Sequence, residues 1–408
     1  MKKFIIFLLV VVAWSCNNDD AKYQTVNIGV PQVISKTEFR TLVEIQAPKP
    51  ISQAGKIYAY GQYIFINDKF EGVHVIDNTN PSLPQAVAYI KIPGNEDISV
   101  KNNYLYADSA IDLLVFDISD IHQIEVVGNL ENVFERYDFR FPENIYTVDY
   151  SNYNYETDII VGWTVEQREI EINNDYGYET TDSSSNDSGG QNTVGTGGSL
   201  ARFQIVEDYL YTVGSHEMTI FNISNLSEPT LTNTFYSGNN IETLFQADGY
   251  LYLGSTDGMY IYSLENAQLP EYVSEFVHWT GCDPVVVDGD YAYLTLRGGN
   301  TCGQQDSVLE VIDISDKSNP TLMATYGLDN PYGLGVKQNI LFVCDGDAGL
   351  KIFDKSDPLD LQWVETFSDV HATDVIPLEN SLLMIGNNVL YQYQYSNNSV
   401  TLLSTLQL

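Results

Sequence analysis

Five histidines, His74, His122, His216, His278 and His371, are the first places to look for chemistry in this chain. None stands in HExxH or another close metal spacing, and GxSxG, CxxC and GxxxxGK[ST] do not occur. Carboxylates are far more numerous: 55 acidic against 19 basic residues give a formal charge of −36. Many of them fall in short turns: Asp77-Asn78-Thr79-Asn80-Pro81, Asp117-Ile118-Ser119-Asp120, Asn222-Ile223-Ser224-Asn225, Asp313-Ile314-Ser315-Asp316 and Asp354-Lys355-Ser356-Asp357-Pro358. Oxygen ligands at that density could hold calcium. A sufficient reading needs no ion: short Asx and Ser/Thr side chains bond nearby backbone N–H groups and fix a turn. Asp345-Gly346-Asp347-Ala348-Gly349 opens like a calcium loop but lacks the downstream bidentate Glu, so it reads as a hairpin turn. No cofactor is expected, and calcium is the divalent cation these turns could take.

The elements that position these residues are written as a repeat. Gln62-Tyr63-Ile64-Phe65-Ile66 returns as Asn103-Tyr104-Leu105-Tyr106-Ala107, then as Asp208-Tyr209-Leu210-Tyr211, Gly249-Tyr250-Leu251-Tyr252 and Asp290-Tyr291-Ala292-Tyr293. Weaker copies begin at Glu143, Asn339 and Asn380. Taking Tyr63 as the marker, the copies stand at 63, 104, 144, 209, 250, 291, 340 and 381, at intervals of 41, 40, 65, 41, 41, 49 and 41. The 65-residue step contains 175–198, a polar stretch that reads as a disordered loop insertion. The 49-residue step carries its excess around Gly298 to Gly303. Each unit reads as four short strands with polar turns between them, which is one propeller blade. Twenty-nine tyrosines against five methionines suit such β structure. The fold expected is all-β: a single β-propeller over 50–408, with eight blades of four antiparallel strands and seven blades as the alternative.

Residues just before each innermost strand would ring one mouth of the channel. They include Lys56, Glu96, Asp97, Arg136, Arg202, Glu242, Asp283, Tyr332 and Asp374. The candidate ligand site is Asp97, Arg202, Glu242, Asp283 and Asp374, with Trp279 beside them. Converging carboxylates could bind a metal or a cationic ligand, or could simply be neutralised by the interleaved Lys and Arg. Nothing else assembles a nucleophile with a base. The run from His278 to Asp283 is the one polar-aromatic cluster and reads as blade packing.

The N-terminus carries an address. Lys2 and Lys3 precede an apolar run from Phe4 to Trp14, too short to span a bilayer. Ala13-Trp14-Ser15-Cys16 resembles a bacterial lipobox, although Trp14 stands where a small residue is usual. The resemblance implies a signal peptide over 1–15, lipid on Cys16, and a tether over 16–49. Asn17-Asn18-Asp19-Asp20 resembles the acidic tag of outer-membrane surface lipoproteins. The strong negative charge repels anionic surfaces, so the lipid alone would hold the membrane. The same charge argues against nucleic acid, whose phosphates need clustered Lys and Arg. Cys282 and Cys302 flank a strand and a Gly-rich loop; a bridge there would stabilise by roughly 3 kcal/mol. Cys344 ends the apolar run Ile340-Leu341-Phe342-Val343 and reads as a buried thiol.

The runs Gly72 to Pro81, Leu114 to Ser119 and Glu310 to Ser315 resemble the LVIVD repeat of secreted bacterial propeller proteins. So does Cys282 to Val287 with the strand after it. The resemblance covers about 50–408; Asp158 to Trp163 departs from it by lacking the Asp-x-Ser turn. It implies a lipid-anchored propeller and no established reaction. The function expected is a non-enzymatic, monomeric scaffold for a protein or glycan ligand, the alternative being a metal-dependent hydrolase or lactonase with a channel site.

Overall fold

The computed structural model describes residues 23–134, 141–142, 144–171, 196–278, 284–298, 306–396 and 399–408. Among them the single helix is Lys36–Arg40, and the rest of the regular structure is strand. Six sheets are four-strand antiparallel meanders laid down in chain order, and a seventh is such a meander with one further strand on each edge. Their innermost strands are Ala54–Tyr60, Ile98–Lys101, Phe203–Val206, Ile241–Ala247, Val285–Asp288, Leu334–Lys337 and Asp374–Pro377. Blades one to seven are named in that order below.

Local chemistry explains each meander. The turn from the first to the second strand is two residues long. In blade two Asn102 and Asn103 have φ of 49° and 65°, and in blade four Asp248 and Gly249 have 48° and 79°. Both residues thus take the left-handed conformation that a type I′ turn requires and that Asn, Asp and Gly tolerate. The turn from the third to the fourth strand is tied by side chains. Asp77 Oδ1 accepts the Thr79 amide at 2.8 Å, and Asp117, Asp313 and Asp354 accept those of Ser119, Ser315 and Ser356 at the same distance. Asn222 does likewise for Ser224. The Asx-turn reading therefore describes what these side chains do, and the side-chain hydrogen bonds of Thr79 and Ser315, followed by these amides, hold the Asp77 and Asp313 carboxyls below their usual range. In every blade the register slips once between third and fourth strands, as at Val75/Ile76 and Val311/Ile312. Such bulges add twist at the outer edge.

The core lies between blades. The residue two past each marker (Phe65, Tyr106, Tyr211, Tyr252, Tyr293, Phe342 and Leu383) is fully buried. Tyr106 and Tyr211 send their hydroxyls on to carbonyls in the following blade, Leu226 at 2.8 Å and Ala267 at 2.7 Å. Burying such rings removes large apolar areas from water and accounts for the tyrosine usage.

The ring closes with seven blades. Tyr106, Leu113 and Val115 of blade two pack directly on Phe203, Ile205 and Phe221 of blade three. Blade seven meets blade one through Ile376, Leu383 and Ile385 against Ile57, Ile64 and Ile76. Asn388 Oδ1 accepts the Ala54 amide at 2.9 Å across that seam. Direct packing thus closes the ring, and Glu44–Gln46 adds to the outer strand of blade one.

The eighth sheet, where repeat three was expected to form a blade, is three-stranded and mixed. Tyr23–Ser35 pairs antiparallel with Asp158–Glu171 along its whole length and parallel with Thr147–Val148. A parallel neighbour cannot belong to a hairpin meander. These strands fall in a separate compact unit built from 1–36 and 138–181. Two expectations change with it. Part of the supposed tether, 23–35, is a long strand, and the step from Tyr104 to Tyr209 is one blade plus an insertion. Residues 196–198, assigned to the loop insertion, also prove ordered: Thr196–Gly197 forms a short strand. The rest of 175–198, and the signal region with Cys16, lie outside the described residues.

Candidate functional site

The central channel holds part of the chain itself. Thr196–Gly197 pairs with the innermost strand of blade one, Thr196 opposite Ala59 and Gly197 opposite Tyr58. Beyond it, Gly198 N–H donates to the Ile57 carbonyl at 3.3 Å and Ser199 Oγ accepts the Leu334 amide of blade six at 2.6 Å. The Ala201 carbonyl accepts the Leu244 amide of blade four at 2.9 Å. Ser199, Leu200 and Ala201 are buried. The segment 196–201 therefore bridges blades one, four and six.

The expected carboxylate residues meet this segment. Asp97 Oδ2 accepts the amides of Arg202 at 2.5 Å and Phe203 at 2.9 Å, and its Oδ1 accepts that of Ile98 at 2.7 Å. Lys56 Nζ lies 3.5 Å from Asp97 Oδ2, both side chains buried. The Arg202 guanidinium pairs with Glu96. Asp374 is completely buried, and its Oδ1 accepts the Val375 amide at 2.8 Å. Glycine is required on two sides of it. A Cβ on Gly198 would stand 1.9 Å from its Oδ2, and one on Gly333 would stand 2.6 Å from its Oδ1. Burial pushes the Asp374 carboxyl up to about 7, against the pull of neighbouring amides and of Lys56. Glu242 is buried at the start of blade four. Asp97, Arg202 and Asp374 are thus joined through Lys56 and the channel segment, while Asp283, Trp279 and Arg136 lie outside the described residues.

A second set of carboxylates escaped sequence reasoning. Asp68 accepts the amides of Ser52 and Gln53, Asp108 those of Glu96 and Asp97, and Asp345 those of Asp329 and Asn330, all between 2.7 and 3.1 Å. Each stands at the end of a second strand and clamps the loop entering the same blade. The signal was present, an Asp four or five residues past the marker in three copies. Their settings differ. Burial opposes ionisation of Asp68, but the His74 hydrogen bond and two amides still hold its carboxyl low. At Asp108, burial and the nearby Glu96 charge raise the carboxyl instead. His74 is packed on Tyr89 with ring centroids 4.7 Å apart.

Other expectations resolve simply. Asp345-Gly346-Asp347-Ala348-Gly349 is a hairpin turn, with the Gly349 carbonyl accepting the Asp345 amide at 2.9 Å. Cys344 is a buried free thiol. Cys282 and Cys302 lie outside the described residues, so their pairing remains an expectation. No cluster of three or more His, Cys, Asp or Glu with metal-binding geometry occurs among the described residues.

The family model described as the LVIVD repeat matches residues 52–89, 95–131, 197–236, 282–327 and 333–369. The chain is a β-propeller that carries five LVIVD repeats. The five LVIVD repeats coincide with blades one, two, three, five and six. Blades four and seven lie outside these matches; Ser263-Leu264-Glu265-Asn266 stands in place of the Asp-x-Ser turn in one, and Val389–Ser396 is followed by Ser399–Gln407 without it in the other. Among solved structures, the periplasmic gluconolactonase PpgL of Pseudomonas aeruginosa is similar at TM-score 0.54 and 10% identity, covering 86% of this chain and 95% of that one. The computationally designed Ika8 protein is similar at 0.52 and 10%, covering 89% and 90%. A protein from Lactobacillus plantarum is similar at 0.52 and 12%, covering 86% and 96%. At such identities the likeness is one of fold. No curated protein matches the chain.

Proposed function

We propose that this LVIVD propeller is a non-enzymatic binding scaffold for a protein or glycan ligand, carried on the outer membrane by lipid at Cys16. The observation that supports it is the use to which the inner carboxylates are put. Asp97 is occupied by three backbone amides and Lys56, Glu96 by Arg202, and Asp374 is packed between two glycines. Groups spent on holding the channel segment are poorly placed for acid–base work or for ligating a cation. Ligand recognition is then left to the loop faces, where propeller residues can vary without disturbing the strands. A reading of the chain as a lactonase draws on the acidic residues of the channel and on a shared fold with the gluconolactonase, and the engagement of Asp97 and Glu96 weighs against it.

The test is metal content with activity against lactone and ester panels, for the parent and for Asp283→Asn. The scaffold reading expects neither stoichiometric metal nor turnover; turnover abolished by the substitution would overturn it. Cys16→Ser should release the protein from membranes, and unchanged association would refute the anchor.

A further inference from the structure

In a chain so rich in acid, the informative arginine is the one without a carboxylate among the described residues. Among the described arginines, Arg40 makes a two-pronged contact with Asp112, Arg168 pairs with Asp149 and Glu166, and Arg202 pairs with Glu96. Arg297 alone among them has no ion pair with a described residue, and its buried Nε has no hydrogen-bond partner there. Its specific contact among the described residues is with an aromatic face: the guanidinium carbon sits 4.3 Å from the centre of the Tyr332 ring.

Three blades meet there. Arg297 follows the second strand of blade five, Tyr332 lies between blades five and six, and His371 lies between blades six and seven. His371 meets Tyr332 edge-on with centroids 5.9 Å apart, and its Nδ1 is 2.6 Å from Asp347 Oδ1. With Nδ1 engaged, Nε2 has no partner among the described residues. Asp347 itself is almost wholly exposed, its side chain at 94%. Arg297, Tyr332 and His371 are each partly exposed.

We infer that this cluster is an anion-recognition site, and that it takes the carboxylate of a singly charged sugar acid, a uronate residue of a glycan. The inference rests on the scaffold reading above and names the ligand class within it. A guanidinium held by ring stacking keeps its planar donors for a two-pronged contact with a carboxylate. His371 Nε2 and Asp347 supply a donor or acceptor and an acceptor for the neutral hydroxyls beside that carboxylate. An acidic protein partner is disfavoured because a formal charge of −36 repels a polyanion over its whole approach. One carboxylate among hydroxyls meets little of that repulsion.

The experiment is calorimetric titration of the mature protein with methyl glucuronoside, with methyl glucoside and with an acidic peptide. The expected result is binding of the glucuronoside at least tenfold tighter than the glucoside. Arg297→Met should erase that preference, and Arg297→Lys should retain only part of it, with unchanged thermal unfolding showing that both variants are folded. Equal binding of the two sugars, a preference that survives Arg297→Met, or binding of the peptide alone would overturn the site. Neutral-glycan or peptide binding would leave the scaffold reading standing while this inference fails. Turnover in the lactone panel would remove the scaffold reading itself.

Discussion

Replacing Asp374 with Asn makes the channel centre a measurable quantity. Asp374 is fully buried beside Gly198 and Gly333, and burial moves its carboxyl from 3.8 to about 7. In the unfolded chain the group ionises near the ordinary value, so between these limits the unfolded state has lost a proton that the folded state keeps. Its contribution to stability is therefore fully present below pH 4 and is lost as pH rises through about 7. A shift of this size corresponds to at most about 4 kcal/mol, with relaxation and the Lys56 charge reducing the realised figure. Asn is the same shape, keeps an oxygen for the Val375 amide and cannot ionise. Its stability relative to the parent should therefore improve steadily from pH 4.5 to pH 8, by a few kcal/mol. Urea unfolding midpoints across that range, compared between the two proteins at fixed salt, isolate this group from the general repulsion among carboxylates, which both share. A difference independent of pH would refute the reasoning.

Asp345→Ala should destabilise by about 2–4 kcal/mol, because the amides of Asp329 and Asn330 and the Lys351 ammonium lose a buried acceptor together; thermal unfolding reads this directly, and a loss below about 0.5 kcal/mol would deny the clamp its role. Gly198→Ala should cost about 1–3 kcal/mol by forcing its methyl group against Asp374, and a structure of the variant should show the segment 196–201 displaced. Thiol labelling of the denatured, unreduced mature protein should find one reactive cysteine, Cys344, and labelling of the native protein should find none, since burial raises that thiol far above its usual range. Three reactive thiols after denaturation would end the expectation of a Cys282–Cys302 bridge.

The fold was legible because every blade repeats the same local solution. Tyr63, Tyr104 and Tyr209 mark equivalent strands, and the buried ring two residues later carries the contact with the neighbouring blade. The blade count was less legible. Asn144-Ile145-Tyr146 imitates the marker, yet Thr147–Val148, the strand next to it, pairs parallel with Tyr23–Ser35, a partner more than a hundred residues away that no local pattern announces. Strand pairing at that separation depends on tertiary context, as register and edge do in general. That Asp97, Arg202 and Asp374 gather with Lys56 was legible from their positions just before the innermost strands. The chain segment that occupies the space between them was not, because Thr196–Ala201 is small, polar and Gly-rich and reads like the loop that precedes it.

Abundance and information run in opposite directions in this chain. Fifty-five acidic residues invite a search for metal or acid–base chemistry, but seven aspartates of the blades are backbone acceptors. Asp77, Asp117, Asp313 and Asp354 close outer turns, while Asp68, Asp108 and Asp345 clamp inner loops. A short carboxylate is well suited to that work, since it accepts two or three amides at once and favours turn conformations. Each such use removes a charge from the pool available for function, so counting acids overstates the chemistry. The cations are few, and most serve to offset particular acids: Arg40 for Asp112, Lys56 for Asp97, Lys351 for Asp345. Against that pattern an arginine resting on a tyrosine ring, with no acid beside it among the described residues, is the departure that needs a reason outside the fold. The acid-rich channel is engaged from within by its own segment and amides. At Arg297 no described residue supplies the counter-charge, and a ligand is best placed to do so.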